Sequence, residues 1–260
     1  MAYFYLRKKF SKLVNKSYNI YMILDEYNIT VYTSMVNENK DLKPQAVLDI
    51  FQYGAVRCSE AYKIDGPSII DQGVIWVLVS VKYEVIKNGT GQGEYVLKTW
   101  PRKSLSKIKH LRDYVLYNEH NEIVVKGTSV WCIVDIKTKM PCYRPEICFP
   151  GELLDYGVFE NEPRRIRGVE IKNTAEPQYF SILNSYYDSN KHTNNANYGM
   201  FIYESLDKGT RIKSLTLDFV NQTFVGDKIA VYSVKNAAEP QYFAGFVGEN
   251  TIFKAIVEVE

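Results

Sequence analysis

The segment Asp188-Ser189-Asn190-Lys191-His192 aligns without a gap with the earlier segment Asn37-Glu38-Asn39-Lys40-Asp41. Each segment follows a run typical of a β-strand and precedes a run with helical periodicity, and four more strand-like runs follow each helix. This repeated order indicates an internal duplication in which each half is a long helix wrapped by an antiparallel sheet. We therefore predict an α+β fold made of two such halves.

The first half carries the clearest helical pattern. Between Leu42 and Tyr62, small and apolar residues recur at i, i+3, i+4, i+7 and i+8, which predicts a helix with one buried face. The stripe comprises Val47, Ile50, Phe51, Gly54 and Ala55. The predicted strands of this half are Asn28–Val36, Val74–Ile86, Glu94–Trp100, His110–Tyr117 and Glu122–Ile136.

The second half repeats this order after a proline-rich connector within Lys137–Pro163. We place the N-terminal half at residues 1–137, the linker at 138–165 and the C-terminal half at 166–260. A helix is predicted over Asn195–Leu206. The predicted strands are Tyr179–Tyr187, Arg211–Gln222, Asp227–Lys235, Gln241–Val247 and Thr251–Glu260.

A second repeat is unrelated to the first. The segment Lys172–Phe180 recurs almost unchanged as Lys235–Phe243, and its Ala-Glu-Pro-Gln-Tyr-Phe core is identical in both copies. Each copy leads into a predicted strand, and proline fits at a strand entry.

Composition predicts a soluble globular protein. Of the 260 residues, 46% are hydrophobic and 24% charged, and the net charge of +2 gives no argument for nucleic-acid binding. The first residues lack the apolar core of a signal peptide and no apolar run is long enough to span a bilayer, so we expect a cytoplasmic protein. The cysteines lack disulfide or zinc-site spacing and are interpreted as reduced thiols. They are Cys58, Cys132, Cys142 and Cys148.

His192 is the residue best suited to proton transfer near neutral pH. It stands just before a predicted helix, whose first backbone N–H groups and dipole can stabilise a carbonyl oxygen on which negative charge develops. The alternative is that Asp188 or Asn194 caps the helix while His192 is an exposed loop residue. Because the first half has Asp41 in place of the histidine, we expect catalysis in the second half and a wall of the substrate site in the first.

The pattern Asp188-x-Asn190-x-His192-x-Asn194-Asn195-x-x-Tyr198 resembles the D-x-N-x-H-x-N-N-x-x-Y signature of acyl-acyl carrier protein (acyl-ACP) thioesterases, here of the bacterial branch. Leu97–Pro101 resembles the family's threonine-tryptophan strand end, and Gly127–Trp131 resembles its alanine-threonine-serine-x-tryptophan strand. The resemblance implies a double hotdog fold. It also implies a hydrolase that releases fatty acid from acyl thioesters at the end of fatty acid biosynthesis, without a metal or organic cofactor.

The resemblance further implies roles for individual residues. His192 would assist water attack on the thioester and protonate the leaving thiol, while Asn190 would hold His192 or the thioester in position. The N–H groups of Asn194 and Asn195 would polarise the thioester carbonyl. The implied set is, for catalysis, Asp188, Asn190, His192 and Gln222, and, for substrate binding, Asn194, Asn195, Tyr198 and Trp100; core packing is the alternative role of the tryptophan.

Gln222 departs from the family pattern, because a catalytic glutamate usually stands in its place. An amide can position water but cannot accept its proton. Loss of a general base could lower the rate by roughly 10²- to 10⁴-fold. Three interpretations stay open: His192 is the sole base, Asp218 or Asp227 substitutes, or the protein binds acyl chains without hydrolysing them.

The implied partner is acyl carrier protein, which is strongly acidic. Two basic runs could steer it by long-range charge, and a solvated surface is the alternative reading of both. An acyl-CoA thioesterase and a hydratase or dehydratase are further alternatives, and we expect a monomer or a homodimer. The runs are Lys103, Lys107, Lys109 and Arg112, and Arg164, Arg165 and Arg167.

Overall fold

The computed structural model describes residues 24–150, 153–167, 171–172, 176–234 and 240–260. The first half contains the helices α1 (Pro44–Ala61) and α2 (Gly66–Ile69) and the strands β1 (Asp25–Val31), β2 (Val74–Val85), β3 (Gly93–Arg102), β4 (Lys109–Tyr117) and β5 (Ile123–Asp135). The second half contains the helix α3 (Ala196–Glu204) and the strands β6 (Gln178–Ser181), β7 (Ile212–Phe219), β8 (Lys228–Val234), β9 (Gln241–Val247) and β10 (Asn250–Val259).

All ten described strands form one sheet, in the order β1-β3-β4-β5-β2-β7-β10-β9-β8-β6. From edge to centre the halves run β1-β3-β4-β5-β2 and β6-β8-β9-β10-β7, so every strand has a counterpart at the same place in the other half. The halves meet where β2 and β7 pair antiparallel, from Ser80 opposite Asp218 to Glu84 opposite Ser214. The order of elements thus repeats as the duplication predicts.

The helices α1 and α3 pack together on one face of this sheet and share its main hydrophobic core. The two helices come close at Gly199, where a side-chain carbon would lie 2.8 Å from Leu48 Cδ1 and 3.2 Å from the Pro44 carbonyl carbon. Gln45 Nε2 also donates a hydrogen bond of 2.9 Å to Asn197 Oδ1 across the same junction. The starts of the two helices are therefore held against each other at the centre of the molecule.

The predicted apolar stripe of α1 is confirmed, since all five of its residues are buried. Two glycines bring the helix close to the sheet. A side-chain carbon at Gly54 would lie 2.5 Å from Leu97 Cδ2, and one at Gly127 would lie 2.2 Å from Phe51 Cε2. Larger residues at either position would push α1 away from the strands beneath it.

The first strand of each half ends earlier than predicted. The strands β1 and β6 stop at Val31 and Ser181, and a short 3₁₀ turn follows each of them, at Thr33–Met35 and Asn184–Tyr186. Aromatic and β-branched residues continue through both turns, so the pattern alone does not show where the chain leaves the sheet. The helix α3 is also shorter than predicted. Ser205 N and Leu206 N donate to the carbonyl oxygens three residues earlier, Ile202 O and Tyr203 O, and this 3₁₀-type turn ends the helix.

The connector lies across the face of the sheet opposite the helices. At one end Trp100 Nε1 donates to Tyr156 O at 3.1 Å and the two rings stack. At the other end Arg165 Nη1 donates to Val79 O at 2.9 Å, and Ile166 N donates to Asp218 Oδ2 at 2.6 Å. The linker therefore covers outward-facing polar residues of both halves, while its exact boundaries stay a prediction.

The second repeat receives a structural explanation. Its Gln-Tyr-Phe ends begin β6 and β9, at Gln178 and Gln241. Phe180 and Phe243 pack into the main core, whereas Tyr242 lies with the apolar cluster on the outer face. Alternation along a strand accounts for this use of a Tyr-Phe pair. Residues 173–175 of the first copy and 235–239 of the second lie outside the described residues.

None of the helices in the described ranges has the length and apolar character that crossing a bilayer requires.

Candidate active site

The loop from Asp188 to His192 is a tight turn closed by its own backbone. Asp188 N donates to His192 O at 3.2 Å, and Lys191 takes a left-handed conformation with φ of 63°. The carboxylate of Asp188 accepts Asn190 N at 2.8 Å and Asn190 Nδ2 at 3.3 Å. The structure therefore brings Asp188 and Asn190 together, and their interaction shapes the turn that presents His192.

His192 is half-buried, and its ring makes a different contact from the one expected. Nδ1 lies 3.3 Å from Thr193 O, and among the described residues neither Asp188 nor Asn190 bonds to the ring. A carbonyl oxygen can only accept, so a hydrogen bond here requires the proton on Nδ1; in a neutral ring Nε2 is then the nitrogen that can accept a proton. The imidazole is thus arranged to accept a proton at Nε2, but Asn190 acts on the loop and does not hold the ring.

The start of α3 leaves one of the two predicted N–H groups for a ligand. Asn194 N already donates to Tyr186 O at 2.9 Å, and Asn194 Oδ1 accepts Ala196 N at 2.9 Å as a cap. Asn195 N has no hydrogen-bond partner in the described ranges. The predicted pair of donors is therefore corrected to Asn195 N alone, with Asn194 in the capping role.

A narrow crevice leads from the start of α3 into the first half; its free volume is about 10 Å³, room for about one water molecule, and the larger volume of about 290 Å³ includes the open mouth. Asn195 and Ala196 line one end, and Phe51 and Tyr114 line it on the side of α1 and β4. The remaining lining residues are Leu48, Gln52, Leu78, Val81, Ser129, Trp131 and Phe219. The predominantly apolar lining suits a hydrocarbon chain, and the first half supplies most of it.

Polar atoms on the floor of this crevice satisfy one another. Trp131 Nε1 donates to Ser129 Oγ at 2.7 Å, and Ser129 Oγ lies 2.8 Å from Tyr114 Oη. An unsubstituted chain can therefore cross this floor without leaving a donor or acceptor unpaired.

Tyr198 and Trp100 do not reach the crevice. Tyr198 is 2% exposed, its ring packs against Phe219 and Phe253, and its hydroxyl lies 3.1 Å from Thr223 Oγ1. Trp100 points to the outer face, under the connector. Neither side chain lines the crevice, so the geometry does not support the substrate contacts expected of them, and Trp100 packs beneath the connector.

Gln222 lies at the same junction as His192 but is exposed. It precedes Thr223, whose carbonyl oxygen accepts Thr193 N at 3.2 Å. Since Thr193 follows His192, the two predicted site residues flank one backbone contact. The water-positioning role of the Gln222 amide stays a prediction.

Of the two carboxylates considered as substitutes, Asp218 is in the wrong place. Its neighbours Leu217 and Phe219 face the helices, so Asp218 faces outward, where it accepts Ile166 N. Asp227 lies in the turn before β8, where its backbone oxygen accepts Ile182 N at 2.9 Å. Its carboxylate accepts Phe224 N at 2.8 Å.

Four residues of the site region were not predicted: Ser129, Trp131, Thr193 and Thr223. The position of Trp131 on the crevice could have been predicted from its strand, because Gly127, Ser129 and Trp131 share one face. A glycine on that face can accommodate a helix side chain, here the ring of Phe51. The tryptophan on the crevice is therefore Trp131 and not Trp100.

Comparison with known proteins identifies the family. Residues 21–149 match the family model described as the acyl-ACP thioesterase N-terminal domain. The chain belongs to the acyl-ACP thioesterase family. It is 25% identical over 150 residues to the chloroplastic acyl-[acyl-carrier-protein] hydrolase FATB3 of Cuphea viscosissima, a match that spans 54% of this chain and 35% of that protein.

Two solved structures share the fold. An acyl-ACP thioesterase from Bacteroides thetaiotaomicron superposes with a TM-score of 0.78 and 15% identity, over 91% of this chain and 98% of that one. A 12:0-ACP thioesterase from Umbellularia californica superposes with a TM-score of 0.79 and 15% identity, over 91% of this chain and 97% of that one. The double hotdog architecture is therefore that of acyl-ACP thioesterases.

Within this family member, the first predicted basic run is not a continuous surface. Arg112 is buried beneath α1, where it donates to Cys58 Sγ at 3.2 Å and to Thr99 Oγ1 at 3.3 Å. Lys103 and Lys109 each lie within 3.7 Å of an acidic residue of the connector. Arg165 of the second run is used within the fold, as described above. Neither run therefore presents all of its charges to a partner.

Proposed function

We propose that this chain is an acyl-ACP thioesterase that hydrolyses fatty acyl thioesters of acyl carrier protein to free fatty acid and carrier thiol, ending fatty acid biosynthesis. The observation that carries the proposal is the apolar crevice that ends at Asn195 and Ala196, next to the loop that presents His192. A hydrocarbon chain in the crevice would bring its thioester to the start of α3.

In this mechanism the thioester carbonyl lies at the start of α3, where Asn195 N and the helix dipole stabilise the developing oxyanion. His192 Nε2 accepts a proton from water as its oxygen forms a bond to the carbonyl carbon. The carbon–sulfur bond then breaks, and the imidazolium returns the proton to the thiolate. Gln222 orients the water through its amide, and Asp188 and Asn190 maintain the loop. The first half takes no chemical part and provides the wall of the crevice. No cofactor is proposed.

The second candidate is an acyl-binding protein with little or no hydrolysis. It is favoured by Gln222, since the amide cannot act as a base, and by the imidazole ring, which no carboxylate of the described residues contacts. Activity on acyl-coenzyme A, a cytoplasmic location, membership of the bacterial branch and the monomer or homodimer state stay predictions.

The test is turnover by the purified protein of a panel of acyl-ACP thioesters of different chain lengths, with the matching acyl-CoA series. Free thiol and free fatty acid are both measured, and His192→Ala gives the background. We expect a higher kcat/KM for the carrier-bound chains. Equal kcat/KM for both series would favour an acyl-CoA thioesterase. Acyl-chain binding without release above the background would favour the binding protein.

A further inference from the structure

We propose that Tyr198, Thr223 and Thr193 form a chain of hydroxyl groups that positions His192 and fixes its tautomer. This inference rests on the proposed function and concerns residues that do not touch the substrate. The three side chains are 2%, 0% and 1% exposed, respectively.

The hydrogen bonds run in one consistent direction. Tyr198 Oη lies 3.1 Å from Thr223 Oγ1, Thr223 Oγ1 donates to Thr193 Oγ1 at 2.8 Å, and Thr193 Oγ1 donates to Thr223 O at 3.3 Å. Each hydroxyl has one proton to donate. If Tyr198 donates to Thr223, every hydroxyl in the chain uses its proton once. A buried hydroxyl that loses its partner is costly, so the three groups stabilise a single arrangement.

The chain includes Thr193, the residue whose carbonyl oxygen contacts the catalytic ring. Thr193 is bound to Thr223 through both its side chain and its backbone N–H, the latter at 3.2 Å. Its carbonyl oxygen is the acceptor for His192 Nδ1. Fixing this carbonyl holds the proton on Nδ1 and leaves Nε2 as the base, a task that a carboxylate performs in many histidine-dependent sites. Because Gln222 precedes Thr223, the same contacts also bring the backbone of Gln222 near the loop that carries His192.

The first half has no hydroxyl groups at the positions equivalent to Thr193 and Tyr198. In the gapless alignment of the two loops, Leu42 corresponds to Thr193 and Val47 corresponds to Tyr198. Both first-half residues are apolar and belong to or pack against the main core. The hydroxyl chain therefore occurs in the half that has His192, and the half with Asp41 has hydrophobic packing in its place.

The test compares Tyr198→Phe and Thr223→Val with Thr223→Ser, which keeps the hydroxyl. Tyr203→Phe is the matched control, because Tyr203 lies on the same helix and its hydroxyl accepts Asn37 Nδ2 at 3.3 Å, away from His192. We expect Tyr198→Phe and Thr223→Val each to lower kcat about tenfold with little change in KM, the effect of losing one positioning hydrogen bond. The double variant should lose little more than the worse single one, since both interrupt the same chain. Thr223→Ser and Tyr203→Phe should stay near the parent.

Nitrogen-15 NMR of the His192 ring provides a readout that does not depend on turnover. We expect the Nδ1–H tautomer in the parent and a mixture of tautomers in Thr223→Val. A parent ring protonated on Nε2, or a Thr223→Val ring unchanged from the parent, would overturn the inference. So would equal losses of kcat in Thr223→Ser and Thr223→Val. If the parent hydrolyses no thioester, the proposed function fails, and the NMR comparison still decides whether the chain positions the ring.

Discussion

Asp41 and His192 occupy equivalent positions in two loops that have the same backbone geometry. Lys40 and Lys191, which precede them, have left-handed φ angles of 62° and 63°. Asn37 N donates to Asp41 O at 2.9 Å, just as Asp188 N donates to His192 O at 3.2 Å. One loop structure therefore carries a carboxylate in the first half and an imidazole in the second.

The carboxylate of Asp41 makes contacts that stabilise the fold. It is buried, accepts Gly89 N at 2.7 Å and lies 3.3 Å from Arg211 Nε of the other half. These contacts close the first loop and connect the halves. The position that holds the proposed proton carrier in the second half thus holds a structural anchor in the first.

His192→Ala should abolish thioester hydrolysis without unfolding the protein. Removing the imidazole takes away the base at Nε2, and general-base loss costs about 10²- to 10⁴-fold in rate. The measurement is kcat on acyl-ACP together with the midpoint of thermal unfolding.

Asp41→Asn is the matched control at the equivalent position. The amide can still accept Gly89 N–H, and the lost ion pair with the half-exposed Arg211 should cost up to about 1 kcal/mol of unfolding free energy. Turnover should stay near that of the parent. If His192→Ala retained parental turnover, His192 would have no part in the reaction.

Gln222→Glu should raise turnover if the candidate active site lacks a general base. A carboxylate in this exposed position can accept a proton from water, which the amide cannot. The pH dependence of kcat for parent and variant is the measurement, with Asn221→Asp as a control that adds the same charge one residue earlier. An unchanged kcat would mean that His192 already supplies all the base catalysis that the reaction uses.

The fold could be predicted from the sequence because the signals were local and occurred twice. The apolar stripe of α1 and the gapless alignment of the two loops required only periodicity and order. Trp100 and Trp131 could not be separated in the same way, because both lie in strands of similar composition. Their roles depend on which face the connector covers, which is a contact between residues distant in the chain.

The orientation of His192 was also beyond the sequence. The motif placed Asp188, Asn190 and His192 within one short turn, and it did so correctly. It gave no information on rotamers, and the ring bonds to the carbonyl of its own neighbour, Thr193. The roles proposed for Thr193 and Thr223 arise only when the turn and the segment after β7 are brought together.

Phe51→Ala should extend the range of chain lengths that the enzyme accepts. Phe51 stacks on Tyr114 with ring centroids 4.2 Å apart and fills the space above Gly127, which limits the crevice on this side. Removing the ring opens that space, at a cost of about 3–5 kcal/mol in unfolding free energy. The measurement is kcat/KM across the acyl-ACP panel, and Phe51→Leu serves as a milder variant.

Phe201→Leu is the control for Phe51, because Phe201 is fully buried on α3 and does not line the crevice. It should lower stability without changing the order of preference among chain lengths. The same chain-length profile in parent and both Phe51 variants would show that the limit lies elsewhere.

Asp218→Asn should stabilise the protein relative to the parent increasingly as pH rises. Burial on the outer face raises the pKa of Asp218, and its Oδ1 has no hydrogen-bond partner among the described residues. The folded chain therefore holds this proton after the unfolded chain, whose aspartate pKa is about 3.9, has released it. The parent therefore loses stability as pH rises from the unfolded-state pKa through the folded-state pKa of Asp218.

Asparagine cannot ionise, yet its Oδ1 can still accept Ile166 N–H, so the variant avoids this loss. Urea unfolding of both proteins at about pH 4 and about pH 7 should show a difference in free energy that favours the variant more at the higher pH. Asp71→Asn, at an exposed position after α2, removes the same charge and controls for net charge. If the advantage of Asp218→Asn were instead larger at the lower pH, Arg165 and Ile166 would stabilise the carboxylate by more than its burial costs.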